Sequence, residues 1–185
     1  FMYYEMTVAG CKRFLPICPV TDKLYIAGFV IFGDPELTVA CAYELLKKAP
    51  EYDYLITAEA KGIPLIHEMA RQLGGERYVL ARKGPKLYMT DVFTVEVNSI
   101  TTDHQQILCI DGKDAEYMRG KRVVIVDDVI STGESLKALE TLVTQAGGNI
   151  VGKMAILAEG EAQERADLIY LEKLPVFHPD GTVME

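Results

Sequence analysis

The chain has 185 residues, 49% of them hydrophobic, which is enough to bury the core of one ordinary domain. Its formal net charge of −8 and pI near 5.0 argue against nucleic-acid binding, because such proteins need basic surfaces. No apolar run approaches the ~20 residues of a membrane span and no signal peptide is evident, so we expect neither a membrane nor a nucleic-acid partner.

Residues 1–33 form an apolar, aromatic-containing piece, and from Asp34 onward the pattern alternates between helices and strands. The Asp34 helix is the clearest, because Asp34 can cap it and Pro35 suits its first turn. In chain order the elements are a helix at Asp34–Ala49, a strand at Tyr54–Ala58, a helix at Pro64–Leu73, strands at Arg77–Ala81 and Val123–Val126, a helix at Ser135–Ala146 and a strand at Ile150–Leu157.

A hairpin interrupts this alternation between the second and third strands, with arms at Thr94–Ile100 and Ile107–Ile110. Strands that alternate with helices predict an α/β fold with a doubly wound, mainly parallel sheet flanked by helices. We expect a single domain over residues 1–185 with its core at 34–158. Residues 1–33 and 159–185 lie outside the alternating pattern.

Ligands of open parallel sheets bind at the carboxyl ends of the strands, and three segments leave predicted strands there: 59–62, 82–86 and 127–135. The last of them carries the strongest signal. Asp127 and Asp128 end an apolar strand and point in different directions, so together they can reach the 2- and 3-hydroxyls of a ribose, directly or through Mg²⁺. The hydroxyl and N–H groups that follow open a helix, where the dipole favours a phosphate. This order predicts a sugar-phosphate site.

The other two segments are basic and would suit a diphosphate. Glu59-Ala60-Lys61-Gly62 joins a strand to a helix, and the alternative is an ordinary turn with a surface lysine. Arg82, Lys83 and Lys86 follow the next strand, and the alternative is a solvated basic loop. Their placement beside the acid pair favours a single anionic ligand that coordinates a divalent metal.

The four cysteines indicate a reducing compartment. None forms a Cys-x-x-Cys pair, and no histidine lies at zinc-ligand spacing from them. Reduced thiols are usual inside cells, so we expect a cytoplasmic protein. The cysteines are Cys11, Cys18, Cys41 and Cys109.

Taken together, the segments from about Tyr54 to Glu159 resemble the type I phosphoribosyltransferases, which use phosphoribosyl pyrophosphate (PRPP), and within them the adenine and xanthine branches. The resemblance implies that fold, with a small hood from the N-terminal segment and the C-terminal tail. It implies that the ribose and 5-phosphate are bound by Asp127, Asp128, Val129, Ile130, Ser131, Thr132, Gly133, Glu134 and Ser135. The resemblance also implies that pyrophosphate is bound by Glu59, Ala60, Lys61, Gly62, Arg82, Lys83 and Lys86. It further implies a cis peptide bond between Glu59 and Ala60.

The resemblance also suggests where catalysis and base recognition occur. Residues 92–106 are similar to a mobile loop that closes over the site, and Glu96 is the nearest candidate for a glutamate that assists proton transfer to the base, together with Asp127 and Asp128 as catalytic acids. The alternative for Glu96 is an exposed strand residue. The base would lie against Phe29, Ile31, Phe32, Leu157 and Glu159. Ala158 takes the place of a lysine found in hypoxanthine-guanine enzymes, which lowers the case for those bases.

The function expected from the resemblance is purine salvage: transfer of ribose 5-phosphate from PRPP to a purine, adenine being favoured, with Mg²⁺ held by Asp127 and Asp128 and with a homodimeric assembly. Xanthine or hypoxanthine is the alternative base. A PRPP-sensing regulator without transferase activity is the alternative function. Residues 1–58 have five basic and seven acidic side chains. Their net charge of −2 argues against binding the phosphate backbone of DNA, as a regulator of this kind would need to do.

Overall fold

The computed structural model describes residues 2–75, 77–98 and 105–185. Its elements in chain order are β1 (Tyr3–Val8), β2 (Cys11–Pro19), β3 (Tyr25–Ala27), α1 (Pro35–Lys48), β4 (Tyr54–Ala58), α2 (Ile63–Gln72), β5 (Val79–Ala81), β6 (Phe93–Val97), β7 (Gln106–Ile110), α3 (Gly112–Met118), β8 (Arg122–Ile130), α4 (Glu134–Gln145), β9 (Asn149–Glu159), a 3₁₀ helix (Gly160–Glu164), β10 (Ile169–Leu174) and β11 (Val176–Phe177). Over these described ranges, no helix has the length and apolar character needed to span a membrane.

The central sheet is parallel and has the order β10-β9-β8-β4-β5. From β4 the chain continues through α2 to β5 on one side, and from β8 it continues through α4 to β9 on the other side. The loops that follow β4 and β8 therefore leave these neighbouring strands in opposite directions. A switch point of this kind opens a crevice at the carboxyl ends of the strands. The predicted doubly wound α/β fold is confirmed, and its crevice lies between two of the three candidate segments.

Helices cover both faces of this sheet. Val124 and Val126 of β8 pack in one buried cluster with residues of α1 and α2, whereas Val123 and Ile125 pack in a second cluster with residues of α3 and α4. Successive side chains of a strand point to opposite faces, so a strand covered on both sides reads as a continuous apolar run. The core therefore fixes β8, which carries the acid pair in its last part, from both sides.

The hood is a separate antiparallel sheet with the order β1-β2-β3-β11. Its last strand comes from the other end of the chain, with Val176 opposite Ile26. Phe177 is buried and its ring lies 5.2 Å from that of Tyr4. The hood predicted from both ends of the chain is confirmed, and it is built of strands that the sequence did not reveal.

Within the core, one strand and one helix illustrate how the structure differs from the sequence prediction. The third strand was predicted to end at Val126, which is wrong, because β8 continues to Ile130. It continues because β9 runs beside it as far as Glu159, so that Asp127 pairs with Ala155 and Ile130 pairs with Ala158. Helix α3 was missed; it is short, and Asp111 caps it by accepting from Lys113 N.

We expect Leu65→Ala to lower the free energy of unfolding by about 2–5 kcal/mol, since it leaves a cavity beneath α2. Leu65 is fully buried, whereas Leu73, just past the end of α2, is 54% exposed. Leu73→Ala is therefore the matched control and should cost less than about 1 kcal/mol. Urea unfolding of both variants measures the difference; equal losses would show that the packing beneath α2 is not as described.

Candidate active site

The segments that follow β4 and β5 are joined by Glu59. Its carboxylate accepts a hydrogen bond from Arg82 Nε and another from the Lys83 backbone N–H at 2.9 Å. Arg82 also donates to the Tyr88 hydroxyl at 2.6 Å, and its backbone forms a two-way bridge with Cys109 of β7. The two basic segments predicted from sequence therefore form one connected unit, in which Lys83 is exposed and Lys86 half-buried.

The loop after β4 passes directly over the acid pair. Its Glu59–Ala60 peptide bond is cis, as the resemblance predicted. Gly62 is buried, and a Cβ at this position would lie 2.6 Å from Thr57 Oγ1 and 3.3 Å from Asp127 Oδ1. Only a residue without a side chain fits this approach. The requirement for glycine at position 62 thus comes from the closeness of two candidate segments.

Asp127 and Asp128 form a close pair within the last part of β8. Asp127 Oδ1 accepts a hydrogen bond of 2.8 Å from the backbone N–H of Asp128. Burial raises the pKa of Asp127 well above its usual range, and the hydrogen bond to and repulsion from Asp128 raise it further. Asp128 is 3% exposed, and its Oδ2 has no hydrogen-bond partner among the residues described. The pair can therefore accept hydrogen bonds from hydroxyl groups or bind a hard cation.

Next to the acids lies a cavity of about 310 Å³. The turn that leads into α4 forms one wall, and Gly133 adopts the left-handed φ of +81° at the start of that helix. The hairpin of β6 and β7 forms the other wall. The cavity is lined by Val97, Asn98, Gln106, Asp127, Val129, Ile130, Ser131, Thr132, Gly133, Glu134, Ser135 and Leu136. Asp127 and the predicted phosphate turn thus share one space of ligand size, with Asp128 buried beside it.

Glu159 lies at the carboxyl end of β9, and it is 8% exposed. Burial raises its pKa, while a hydrogen bond from Ser131 and the charge of Lys61 act in the opposite direction. The charge of Lys61 also lowers the pKa of Asp127. The positive charge of Lys61 on the loop after β4 therefore acts on both carboxyls.

The candidate base contacts are divided between core and surface. Phe29, Ile31 and Leu157 are 3%, 1% and 0% exposed and belong to the buried cluster beneath the hood. Phe32 is 51% exposed. A base could reach the first three side chains only after a local rearrangement. Phe32 is the accessible candidate, Glu159 is nearly buried, and all five roles stay predictions.

Glu96 lies on β6 opposite Ile107, and it is exposed. Its neighbours Val95 and Val97 point to the other side of the strand, where Val95 is buried and Val97 lines the cavity. The structure therefore does not bring Glu96 to the acid pair, and its catalytic role stays a prediction. Residues 99–104 of the predicted mobile loop lie outside the described residues.

We expect Glu59→Gln to reduce stability at pH 7 by on the order of 1 kcal/mol, since a neutral amide accepts more weakly from Arg82. The Lys83 and Arg82 hydrogen bonds outweigh burial and lower the pKa of Glu59. A lowered folded pKa stabilises the fold above the ordinary glutamate pKa, and this contribution is lost as pH falls through the folded value. Urea unfolding from pH 7 to pH 3 should show the two proteins converging below about pH 4; a constant difference would contradict the assignment.

Two residues of the site were not identified from the sequence. Thr57 is fully buried at the end of β4, and its Oγ1 has no hydrogen-bond partner in the described part of the chain. A threonine in an otherwise apolar strand was the available signal. Arg165 approaches Gly133 from the segment after β9, and no sequence pattern indicated this contact.

Comparison with known proteins places these features in a family. The family model for the phosphoribosyl transferase domain matches residues 40–177. An adenine phosphoribosyltransferase of Acetivibrio thermocellus is 31% identical over 150 residues, which cover 80% of this chain and 84% of the relative. A xanthine phosphoribosyltransferase of Lactobacillus acidophilus is 30% identical over 128 residues, which cover 68% of this chain and 66% of the relative, just under two thirds of its length.

Solved structures agree at the level of the fold. The crystal structure of adenine phosphoribosyltransferase from Thermoanaerobacter pseudethanolicus superposes with a TM-score of 0.66 at 23% identity, covering 93% of this chain and 95% of that one. The yeast Saccharomyces cerevisiae adenine phosphoribosyltransferase superposes with a TM-score of 0.64 at 21% identity, with 92% of each chain covered. The family match spans the parallel sheet and the three segments at its carboxyl ends, and the chain belongs to the phosphoribosyltransferase family.

Proposed function

We propose that this protein is a purine phosphoribosyltransferase, a pentosyltransferase that moves ribose 5-phosphate from PRPP to a ring nitrogen of a purine and releases pyrophosphate. The observation that carries the proposal is the acid pair, which lies between a phosphate turn and a basic loop at the switch point of the sheet. The names of the adenine and xanthine relatives support a purine as the acceptor.

In this proposal PRPP lies across the switch point. Its 5-phosphate is bound by N–H and hydroxyl groups of the turn at 131–135, where the α4 dipole favours an anion. The ribose hydroxyls donate to Asp127 and Asp128, whose free acceptor capacity suits them. The diphosphate lies against the loop at 59–62 and the side chains of Lys83 and Lys86. Arg82 is already hydrogen-bonded to Glu59, so it holds the two basic segments together and also adds positive charge near the diphosphate.

Transfer breaks the bond between the ribose C1 and the pyrophosphate oxygen and forms a bond from C1 to the purine nitrogen, whose N–H proton is released to the leaving pyrophosphate or to water. Positive charge develops on the ribose and negative charge on the leaving pyrophosphate. Lys61 and Lys83 are placed to stabilise the leaving group, and preorganised charges of this kind act where charge develops. The β6–β7 hairpin lines the cavity, and its closure over the substrates would exclude water that hydrolyses PRPP.

The residues present fit Mg²⁺ that arrives with PRPP. Asp128 Oδ2 is a buried carboxylate oxygen with no hydrogen-bond partner among the residues that the structure describes, and carboxylates are the ligands that Mg²⁺ prefers. In the ranges described, no group of three or more histidine, cysteine or acidic side chains could hold a metal. Asp127 and Asp128 would therefore share the ion with oxygens of PRPP, and the bound ion would neutralise the developing pyrophosphate charge.

Adenine remains the favoured base within this proposal, with xanthine or hypoxanthine as the alternative. Ala158 is fully buried, so the cation used by hypoxanthine-guanine enzymes has no counterpart at that position. The adenine relative also matches over a longer stretch than the xanthine relative. Glu159 follows Ala158 at the end of β9, and burial raises the pKa of its carboxyl.

The proposal is tested by mixing protein, Mg²⁺, PRPP and one purine at a time, and measuring pyrophosphate release and nucleotide formation. We expect turnover with adenine above that with xanthine, hypoxanthine or guanine. Pyrophosphate release with xanthine alone would support the transferase activity but would make xanthine the acceptor base instead of adenine. PRPP binding without turnover on any base would favour the PRPP-sensing regulator.

We also propose a homodimer and a cytoplasmic location. Family members are commonly dimers, and the four cysteines are free, as expected for a reducing compartment. Light scattering coupled to gel filtration measures the assembly; a monomer at micromolar concentration would contradict the dimer.

A further inference from the structure

Arg165 lies against the turn proposed to bind the 5-phosphate. It directly follows the 3₁₀ helix, and its Nη1 would be 2.8 Å from a Cβ built on Gly133. Gly133 begins α4 with a φ of +81°. The guanidinium therefore touches the one residue of the turn whose missing side chain leaves the backbone open.

The orientation of this guanidinium is fixed by Asp167. Arg165 Nε donates to Asp167 Oδ1 at 3.0 Å and Nη2 donates to Asp167 Oδ2 at 2.7 Å, a bidentate pair. Asp167 is also paired with Lys153, which contacts Glu140 in the middle of α4. Nη1 is left over, and no residue in the described ranges accepts a hydrogen bond from it. The two N–H groups of Nη1 are therefore available as donors, and Nη1 lies next to Gly133 at the start of α4.

The charge of the neighbourhood makes these donors significant. Glu134 lies in the turn itself, and Asp127 and Glu159 lie close by, so a phosphate dianion placed there meets three carboxyls. Planar guanidinium donors match phosphate oxygens well and stay charged at every relevant pH. The Arg165 side chain is 35% exposed, and its Nη1 lies beside Gly133, which lines the cavity.

We propose that Arg165 binds the 5-phosphate of the substrate through Nη1, and that Asp167 is the positioning residue that directs it. This inference rests on the proposed function and deepens it. The turn at 131–135 would supply neutral donors, while Arg165 supplies the charge. The recognised chemistry is a sugar carrying a 5-phosphate, as in PRPP and in the nucleotide product, as distinct from pyrophosphate.

The test compares Arg165→Gln with Arg119→Gln. Arg119 is an exposed arginine whose Cγ lies 3.4 Å from a Cβ built on Gly147, just past the other end of α4, outside the site. Calorimetric titrations use three probes with Mg²⁺: PRPP, ribose 5-phosphate and inorganic pyrophosphate. Arg165→Gln should weaken PRPP and ribose 5-phosphate about tenfold, the loss of one charge-assisted hydrogen bond. Pyrophosphate affinity should stay within about twofold, and Arg119→Gln should change none of the three.

Several results would overturn the inference. Unchanged binding of ribose 5-phosphate to Arg165→Gln would show that Arg165 does not contact the phosphate, while the proposed function would stand if wild-type protein turned over PRPP. An equal loss for pyrophosphate would show that the ion-pair network merely holds the fold. Thermal melting of each variant separates such a structural loss from a local one, and Arg165→Lys should recover part of the affinity. No PRPP binding by wild-type protein would remove the proposed function itself.

Discussion

Replacing Asp127 and Asp128 together by asparagine should lower kcat/KM for PRPP by about 10²–10⁴-fold. Each carboxylate is proposed to accept from a ribose hydroxyl, and one hydrogen bond to a charged group contributes about 1.5–3 kcal/mol. A tenfold change corresponds to about 1.4 kcal/mol, so two such bonds give this range. The rate of pyrophosphate release at subsaturating PRPP is the measurement.

The same variant should be folded at least as stably as the wild type. Burial and mutual repulsion raise the pKa of Asp127, so neutral amides remove an unfavourable charge from the interior. Asparagine at position 127 also keeps an oxygen for the backbone N–H of Asp128. Urea unfolding is therefore the control. A variant that is stable and retains activity within tenfold of wild type would show that the acid pair does not bind the ribose.

Gly62→Ala should lower kcat/KM by about 100-fold, because it pushes the loop after β4 off the acid pair and a displacement of about 1 Å in a catalytic site costs this much. The new Cβ would lie 2.6 Å from Thr57 Oγ1, which is shorter than any normal contact. Thr57 cannot move aside easily, because it is fully buried and β-branched. Steady-state kinetics with PRPP measures the loss.

A second substitution supplies the control. Thr57→Ala removes the atom in the way, and its Oγ1 has no hydrogen-bond partner to lose in the part of the chain that the structure describes. The double variant Thr57→Ala/Gly62→Ala should therefore have a kcat/KM about tenfold higher than that of Gly62→Ala alone. Such coupling is expected only for residues in contact. Additive losses would mean that Gly62 matters for another reason, such as a contact with the diphosphate.

The sequence predicted the central part of the fold well because local signals and tertiary structure agree there. Asp34 caps α1 by accepting from Leu37 N, and the strands of the parallel sheet are apolar on both faces, so each reads as a short continuous run. The hood was harder to see. Its strands are held by partners from opposite ends of the chain, as in the pairing of Val176 with Ile26, and no local pattern records such a pairing.

The candidate site shows the same division. Asp127 to Ser135 could be found because their chemistry is contiguous in the chain, and the structure places all of them except the buried Asp128 around one cavity. The base contacts were less tractable: Phe29 and Ile31 are as apolar as a base pocket requires, but the hood buries them. Arg165 could not be found at all, since its role depends on a turn about thirty residues earlier in the chain.

The crystal structure of the protein with Mg²⁺ and PRPP would test the central claim most directly. We expect the 5-phosphate at residues 131–135, the ribose hydroxyls at Asp127 and Asp128, and the diphosphate against the loop at 59–62. PRPP bound away from the acid pair, or with its diphosphate in the turn at 131–135, would contradict the proposed site.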